Sequence, residues 1–367
     1  MKILIVGGHF TPALSVIEEL PKDAEVVYVG RKHALEGDKA FSLEYETITK
    51  MGTPFIELKT GRFQRNFTRH TVPSLGRVPL GLTRAFFILR KEKPDVVLAF
   101  GGYLSWPMII GASLLKIPTV IHEQTLTAGA ANKFLAKFAD KICISFESSR
   151  KYFPKEKTIL TGNPIRHAIE HPSRKLEISK DLPLVYITGG SLGSHFINSM
   201  VGENLSNLLE KFIVVHQVGA SEEFRDYEKL SILKDGVNND KRQRYTLSKF
   251  FSPQETGAIM KAASIVVSRS GINTVSELIV LQKPALLIPI PKTSANEQVE
   301  NAMFFEKLGL GEVVEQKDLN PGVFLDKLSG IVKNIDRYKL NSSKSHFPKN
   351  AAAKIVDIVY ASSKSSN

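Results

Sequence analysis

Leu182-Pro183-Leu184-Val185-Tyr186-Ile187-Thr188-Gly189-Gly190 repeats, halfway along the chain, the logic of Lys2-Ile3-Leu4-Ile5-Val6-Gly7-Gly8. Both are short, nearly unbroken apolar runs, the pattern of a strand buried on both faces. Both run straight into a diglycine. Outward from these two anchors, β-rich runs alternate with helical patterns. Strands are predicted over 2–6, 24–29, 95–100, 118–122, 141–145, 183–188, 213–218, 264–268 and 284–290. Helices are predicted over 12–20, 80–92, 128–138, 196–211, 254–262, 272–282 and about 349–361. Such alternation means parallel sheets covered by helices. The chain has 367 residues, more than the ~250–300 at which single cores stop growing. The polar stretch 168–182 reads as a linker and 231–244 as a solvated loop. The expected fold class is therefore α/β: two Rossmann-like, doubly wound parallel-sheet domains, 1–165 and 166–345, facing a cleft.

Hydrophobic residues make up 43% and charged residues 23%, an ordinary soluble composition. Lysine and arginine number 49 against 37 acids, a net charge of +12. That excess points to an anionic partner: nucleic acid, a membrane surface or a phosphorylated substrate. A single cysteine, Cys143, excludes an intrachain disulfide framework. Its apolar neighbours mark it as buried packing. There is no cysteine/histidine cluster for structural zinc. The longest fairly apolar run, Trp106 to Leu115, falls short of the ~18 residues of a membrane span. The stretch after Lys2 is too short for a secretory signal, so a cytoplasmic location is the expectation.

Ligands of open α/β sheets bind beyond the carboxyl ends of the strands. Four glycine-containing turns take that position: Gly7-Gly8-His9, Gly101-Gly102-Tyr103, Gly189-Gly190-Ser191-Leu192-Gly193 and Ser268-Arg269-Ser270-Gly271. Glycine admits a ligand or another backbone at close range. The third turn nearly matches a dinucleotide fingerprint, but Thr188 replaces the first glycine. The following strand also lacks the acid that would hold an NAD ribose, and no Walker lysine follows any turn. NAD and P-loop chemistry are disfavoured. In the fourth, a helix starting near Gly271 offers free N–H groups to a diphosphate. Ser270 and Thr274 add hydroxyls, and Glu277 is placed to accept from a ribose. The bland alternative makes Ser270 an N-cap and Glu277 an exposed helix acid. Pro291 to Ala302 carries amides and acids suited to sugar hydroxyls, or simply a capped helix start.

Taken in order, these residues resemble the bacterial MurG family. The resemblance rests on Gly7-Gly8-His9 with Pro12-Ala13-Leu14, Phe100 to Ser105, His122-Glu123-Gln124, Gly129 with Asn132-Lys133, and Gly162-Asn163-Pro164-Ile165-Arg166. It continues through Gly189 to Gly193, Arg269-Ser270-Gly271, Thr274 to Glu277, and Gln298 with Asn301-Ala302. It implies a GT-B fold whose last helix packs back on the first domain. The implied reaction moves N-acetylglucosamine from UDP-GlcNAc to undecaprenyl-diphosphoryl-MurNAc-pentapeptide (lipid I), making lipid II for peptidoglycan synthesis. The implied donor site has Gly190 and Ser191 on phosphate and the backbone of Phe251-Ser252 on the uracil edge. Arg269, Ser270, Gly271, Ile272 and Thr274 would hold diphosphate. Glu277 would take the ribose, Gln298 the GlcNAc hydroxyls, and Arg166, at the hinge, would lie near the nucleotide. The implied acceptor site draws on Gly7, Gly8, Tyr103, Ser105, Thr125 and Asn132.

Two departures fall on the acceptor side. The family's longer Gly-Gly-Thr-Gly-Gly-His loop is shortened to Gly7-Gly8-His9, and the asparagine that usually follows His-Glu-Gln is Thr125. The reaction the resemblance implies is a displacement at the sugar C1 with inversion, which needs a base for the acceptor hydroxyl. His9 is the favoured base, having an ordinary pKa near ~6.5. Glu123 is a further candidate and His122 a weaker one. Leaving-group charge would be met by the helix starting near Gly271. No Asp-x-Asp metal motif appears in the cleft segments, so metal-independent chemistry is expected, with UDP-GlcNAc as donor substrate, no required cofactor and room for a divalent ion to assist.

Competing readings are a UDP-GlcNAc 2-epimerase, a glycosyltransferase with another lipid acceptor such as diacylglycerol, and a nucleic-acid-binding protein. The last leaves the glycine turns unexplained. Between Arg62 and Lys93, eight basic residues face one acid, supplying +7 of the +12. Phe63, Phe67, Phe86 and Phe87 lie among them. A basic, partly apolar stretch at 62–93 suits the anionic cytoplasmic face of the cell membrane; the alternative is a solvated helix face over ordinary core phenylalanines.

Overall fold

The computed structural model describes residues 1–33, 41–61, 78–176, 181–291, 296–340 and 347–364. The chain forms two compact units, Met1–Ile165 with Pro348–Asn367, and Arg166–Phe347.

Among the described residues, the first unit holds β1 (Lys2–Val6), β2 (Glu25–Gly30), β3 (Phe55–Glu57), β4 (Val96–Ala99), β5 (Thr119–Glu123), β6 (Lys141–Ile144) and β7 (Thr158–Leu160). They form one sheet in the order β3-β2-β1-β4-β5-β6-β7. Every pairing is parallel, with Ile3 opposite Val26 on one side and Val96 on the other. Alternate side chains of β1 enter different cores. Leu4 and Val6 join a cluster with Val97, Met108 and Ile121. Ile3 and Ile5 join Val16, Val96 and Val120, a cluster completed by Ile355, Val356 and Val359 of the terminal helix Ala351–Lys364. Cys143 is buried in the same cluster.

The second unit holds β8 (Leu184–Thr188), β9 (Ile213–Gln217), β10 (Tyr245–Ser248), β11 (Ile265–Ser268), β12 (Ala285–Leu287) and β13 (Gly311–Val313). Their order is β10-β9-β8-β11-β12-β13, again all parallel. Val185 and Ile187 face one cluster, Leu184 and Tyr186 the other. Each fully buried aliphatic contributes ~1.5–3 kcal/mol, so both faces of the central strand are secured.

Two corrections concern the solvated stretch and the edges. Residues 231–244 are not a loop: helices Asp226–Asp235 and Asn239–Arg242 occupy most of them. The helix Asp226–Asp235 carries a single buried apolar residue, Leu230, so it shows no stripe. Four strands escaped the pattern: β3, β7, β10 and β13, each three or four residues long. No helix among the described residues is long and apolar enough to cross a membrane. The basic positions Arg62, Arg65, Arg69 and Arg77 lie outside the described residues, as do Lys292 to Ala295.

Candidate active site

In the first unit the candidates gather beyond the ends of β1, β4 and β5. The Gly7-Gly8-His9 turn packs directly on the next diglycine: a Cβ on Gly8 would stand 2.1 Å from the Gly101 carbonyl oxygen. These glycines therefore serve backbone contact. The His9 N–H donates to the Phe100 carbonyl at 3.2 Å, and the residue heads the helix Phe10–Glu19 with no side-chain cap bond. Its ring and the Asn132 amide converge on Gly101. A Cβ there would lie 3.6 Å from His9 Cδ2 and 3.6 Å from Asn132 Oδ1. Burial lowers the His9 pKa from 6.5, opposed by the nearby Glu123 charge. A ring neutral at pH 7 can accept a proton.

Glu123 is differently employed. Its buried carboxylate accepts from Thr125 N (3.0 Å), Thr125 Oγ1 (2.6 Å), Gly129 N (2.9 Å) and Asn132 Nδ2 (3.0 Å). Four donors occupy the lone pairs a base would use, so Glu123 and Thr125 organise the loop that leads into the helix Ala130–Leu135. Asn132 Nδ2 also donates to the His122 carbonyl at 3.0 Å. With both amide hydrogens engaged, Oδ1 is left buried and without a partner. An unsatisfied buried acceptor is costly, and a ligand O–H or N–H would satisfy it. His122 lies in β5; burial presses it to about 3, and Nε2 is 3.0 Å from Ser145 Oγ. Ser105 is fully buried with its hydroxyl donating to the Gly101 carbonyl, so it braces the turn. Tyr103 is half-buried against the core.

In the second unit, two glycines do open onto empty space. Gly190 has φ +88°, and a Cβ added to it would meet nothing within 4 Å; Gly271 likewise meets nothing. Ser191 beside Gly190 is exposed. Gly271 caps the helix Ile272–Leu281 without any side-chain bond, leaving N–H groups for an anion. Ile272 is buried, so it contributes backbone, and Thr274 is half-buried.

The polar side chains around this turn are heavily committed. Arg269 donates through Nε to Ser194 Oγ (3.1 Å), through Nη1 to the Ile288 and Pro289 carbonyls (3.0 and 3.3 Å), and through Nη2 to Gln316 Oε1 (3.1 Å). Burial lowers it to about 10; it remains a cation, but one that staples the turn. Ser270 Oγ donates to the Gln298 carbonyl at 2.7 Å, and Gln298 Oε1 accepts from Ile290 N at 3.0 Å. Ser270 is thus not the N-cap; Gly271 is. Nor is Glu277 an exposed helix acid: it is buried and chelates Arg166, Nε–Oε1 2.8 Å and Nη2–Oε2 3.1 Å. Each oxygen keeps a lone pair for a hydroxyl.

Phe251 N–H donates to Gln217 Oε1 (3.1 Å) and Ser252 N–H to Glu255 Oε2 (2.8 Å) within a capping box. Their N–H groups are engaged, and their carbonyls already accept from Thr256, Ser252 O from its N–H at 2.8 Å and Phe251 O from its Oγ1 at 3.5 Å, so a base edge could use only the second lone pair of each carbonyl. A groove of about 1120 Å³ includes both residues with Leu184, Ile213 and Val215. It reaches the beginnings of β8 and β9, away from Gly190 and Gly271. Gln217 is the site residue that sequence reasoning missed. Its sequence signal was only that it stood where an NAD-binding acid would be.

Two parallel-sheet units with glycine turns at the strand ends, and an uncapped helix start facing open space, define a nucleotide-sugar glycosyltransferase architecture. Residues 6–144 match the glycosyltransferase family 28 N-terminal domain and residues 184–358 its C-terminal domain. A UDP-N-acetylglucosamine–N-acetylmuramyl-(pentapeptide) pyrophosphoryl-undecaprenol N-acetylglucosamine transferase of Clostridium tetani is 36% identical, over 98% of this chain and 97% of its own. The chain belongs to that family, the MurG transferases. The crystal structure of Acinetobacter baumannii MurG superposes with TM-score 0.70 at 21% identity, covering 98% and 99% of the two chains. A Neisseria meningitidis UDP-GlcNAc 2-epimerase bound to UDP-GlcNAc gives 0.66 at 17% identity, covering 100% of each. At such identities the likeness is one of fold.

Proposed function

We propose that the chain transfers N-acetylglucosamine from UDP-GlcNAc to undecaprenyl-diphosphoryl-MurNAc-pentapeptide, giving lipid II. Full-length membership of the MurG transferases carries the reading, and the site chemistry accords with it. The acceptor hydroxyl loses its proton to His9 as its oxygen bonds to the sugar C1. The C1–O bond to phosphate breaks on the opposite face, and UDP leaves. The uncapped N–H groups after Gly271 stabilise the charge on the departing diphosphate. Asn132 Oδ1 receives a donor from the acceptor, and the carboxylate of Glu277 receives ribose hydroxyls.

The membrane contact rests on the helix Val78–Glu92. Leu80, Arg84, Phe87 and Lys91 are all exposed, and their spacing puts them on one stripe. Phe87 is 73% exposed and Leu80 59%. Apolar and basic residues on one stripe suit an anionic leaflet, which supports work at the cytoplasmic face of the membrane. Sedimentation with anionic vesicles checks this: Phe87→Ser and Arg84→Ser should each reduce binding, and added salt should weaken it.

The deciding experiment incubates the protein with labelled UDP-GlcNAc, with and without a lipid I analogue. Label in the lipid product, requiring the acceptor, is expected. Formation of the 2-epimer without acceptor would establish the epimerase reading instead.

A further inference from the structure

Gly190 is gripped from both sides of its peptide. Its N–H donates to Thr188 Oγ1 at 3.0 Å. Its carbonyl accepts from Gln217 Nε2 at 3.2 Å, and the same nitrogen stands 3.3 Å from Thr188 Oγ1. Gln217 Oε1 meanwhile accepts from the Phe251 N–H at 3.1 Å. The three contacts fix the amide's orientation, since its oxygen faces a donor and its nitrogen faces acceptors. Gln217 ends β9, which lies between β8 and β10 in the sheet. One buried side chain therefore ties the turn after β8 to the loop after β10.

We propose that Gln217 is a positioning residue that sets the phosphate turn and the base loop as one unit. This rests on the donor-site reading of Gly190 and Phe251 given above. A left-handed glycine is intrinsically free to leave its conformation. Holding its carbonyl and its N–H keeps the peptide planes around the open space in one orientation, so a diphosphate meets preorganised donors. Thr188 belongs to the same device. A glycine at this position, as in a dinucleotide fingerprint, has no hydroxyl to take the Gly190 N–H. The tie also means that the base loop and the phosphate turn share a single register, fixed by the length of one amide.

Titration calorimetry with uridine and UDP, on the full chain, tests the proposal with two neutral variants. Thr188→Val releases the Gly190 N–H but leaves Phe251 tied. Gln217→Leu frees the Phe251 N–H and takes away one of the two donors to the Gly190 carbonyl, the other being the Gly193 N–H at 3.2 Å. Both variants should lose about tenfold of the affinity advantage of UDP over uridine, a factor equivalent to ~1.4 kcal/mol. Only Gln217→Leu should also bind uridine more weakly. If uridine and UDP weaken in parallel in both variants, tracking a fall in Tm, Gln217 merely supports the fold and the proposal is overturned. An unchanged UDP-to-uridine ratio overturns it too. If the wild-type chain binds neither ligand, the donor-site reading fails first and takes the proposal with it.

Discussion

A histidine that removes a proton from a sugar hydroxyl must arrive neutral. Burial draws His9 below 6.5, so the acid limb of kcat/KM is expected below pH 6.5, with a plateau through pH 7. A limb centred above 7 would remove His9 from the role. His9→Ala should lower kcat by ~10²–10⁴-fold, the span of a lost general base, while UDP affinity by calorimetry stays in place. Glu277 makes a different demand. Both its oxygens hold Arg166, so Glu277→Ala removes the ribose acceptor and this bidentate ion pair together. Its UDP Kd should rise at least ~10-fold, and that of Glu277→Gln less, since one oxygen remains. Wild-type affinity in Glu277→Ala would contradict the ribose assignment.

The glycine turns show how one residue type serves two purposes. Gly8→Ala would drive a Cβ to 2.1 Å from the Gly101 carbonyl, forcing two turns apart. Gly190→Ala meets open space and pays only for φ +88°, ~1–2 kcal/mol. Thermal melts should therefore show the larger fall in Tm for Gly8→Ala, and UDP titration the larger loss for Gly190→Ala. Similar reasoning separates what the sequence displays from what it hides. β1, β4, β8 and β11 are buried on both faces and read as apolar runs. β3, β7, β10 and β13 stand at the four sheet edges, where partial exposure breaks the run. The turns after the strands could be counted from glycine positions alone. The grip of Arg269, the Glu277–Arg166 pair and the role of Gln217 could not, because each depends on which strand ends become neighbours.

For the whole molecule, buried neutral histidines make stability depend on acid. His122 and His216 are both pressed to about 3 by burial, while in the unfolded chain each titrates near ~6.5. Between those values the unfolded state binds the proton and the folded state does not. Stability is thus full above about pH 6.5 and falls as pH drops toward 3, by up to ~1.4 kcal/mol per pH unit for each histidine. Urea melts at pH 7, 6 and 5 should show this loss, and His216→Gln should flatten it; equal midpoints at pH 7 and 5 would refute the burial account. The terminal helix has a temporal consequence. Its Ile355, Val356 and Val359 complete a core begun by Ile3 and Ile5. The entire second unit, Arg166–Phe347, is synthesised in between, roughly 10–40 s at ~5–20 residues per second. During translation the first unit waits with one core face uncovered, a client for whatever shields nascent chains, until the helix Ala351–Lys364 emerges and closes it.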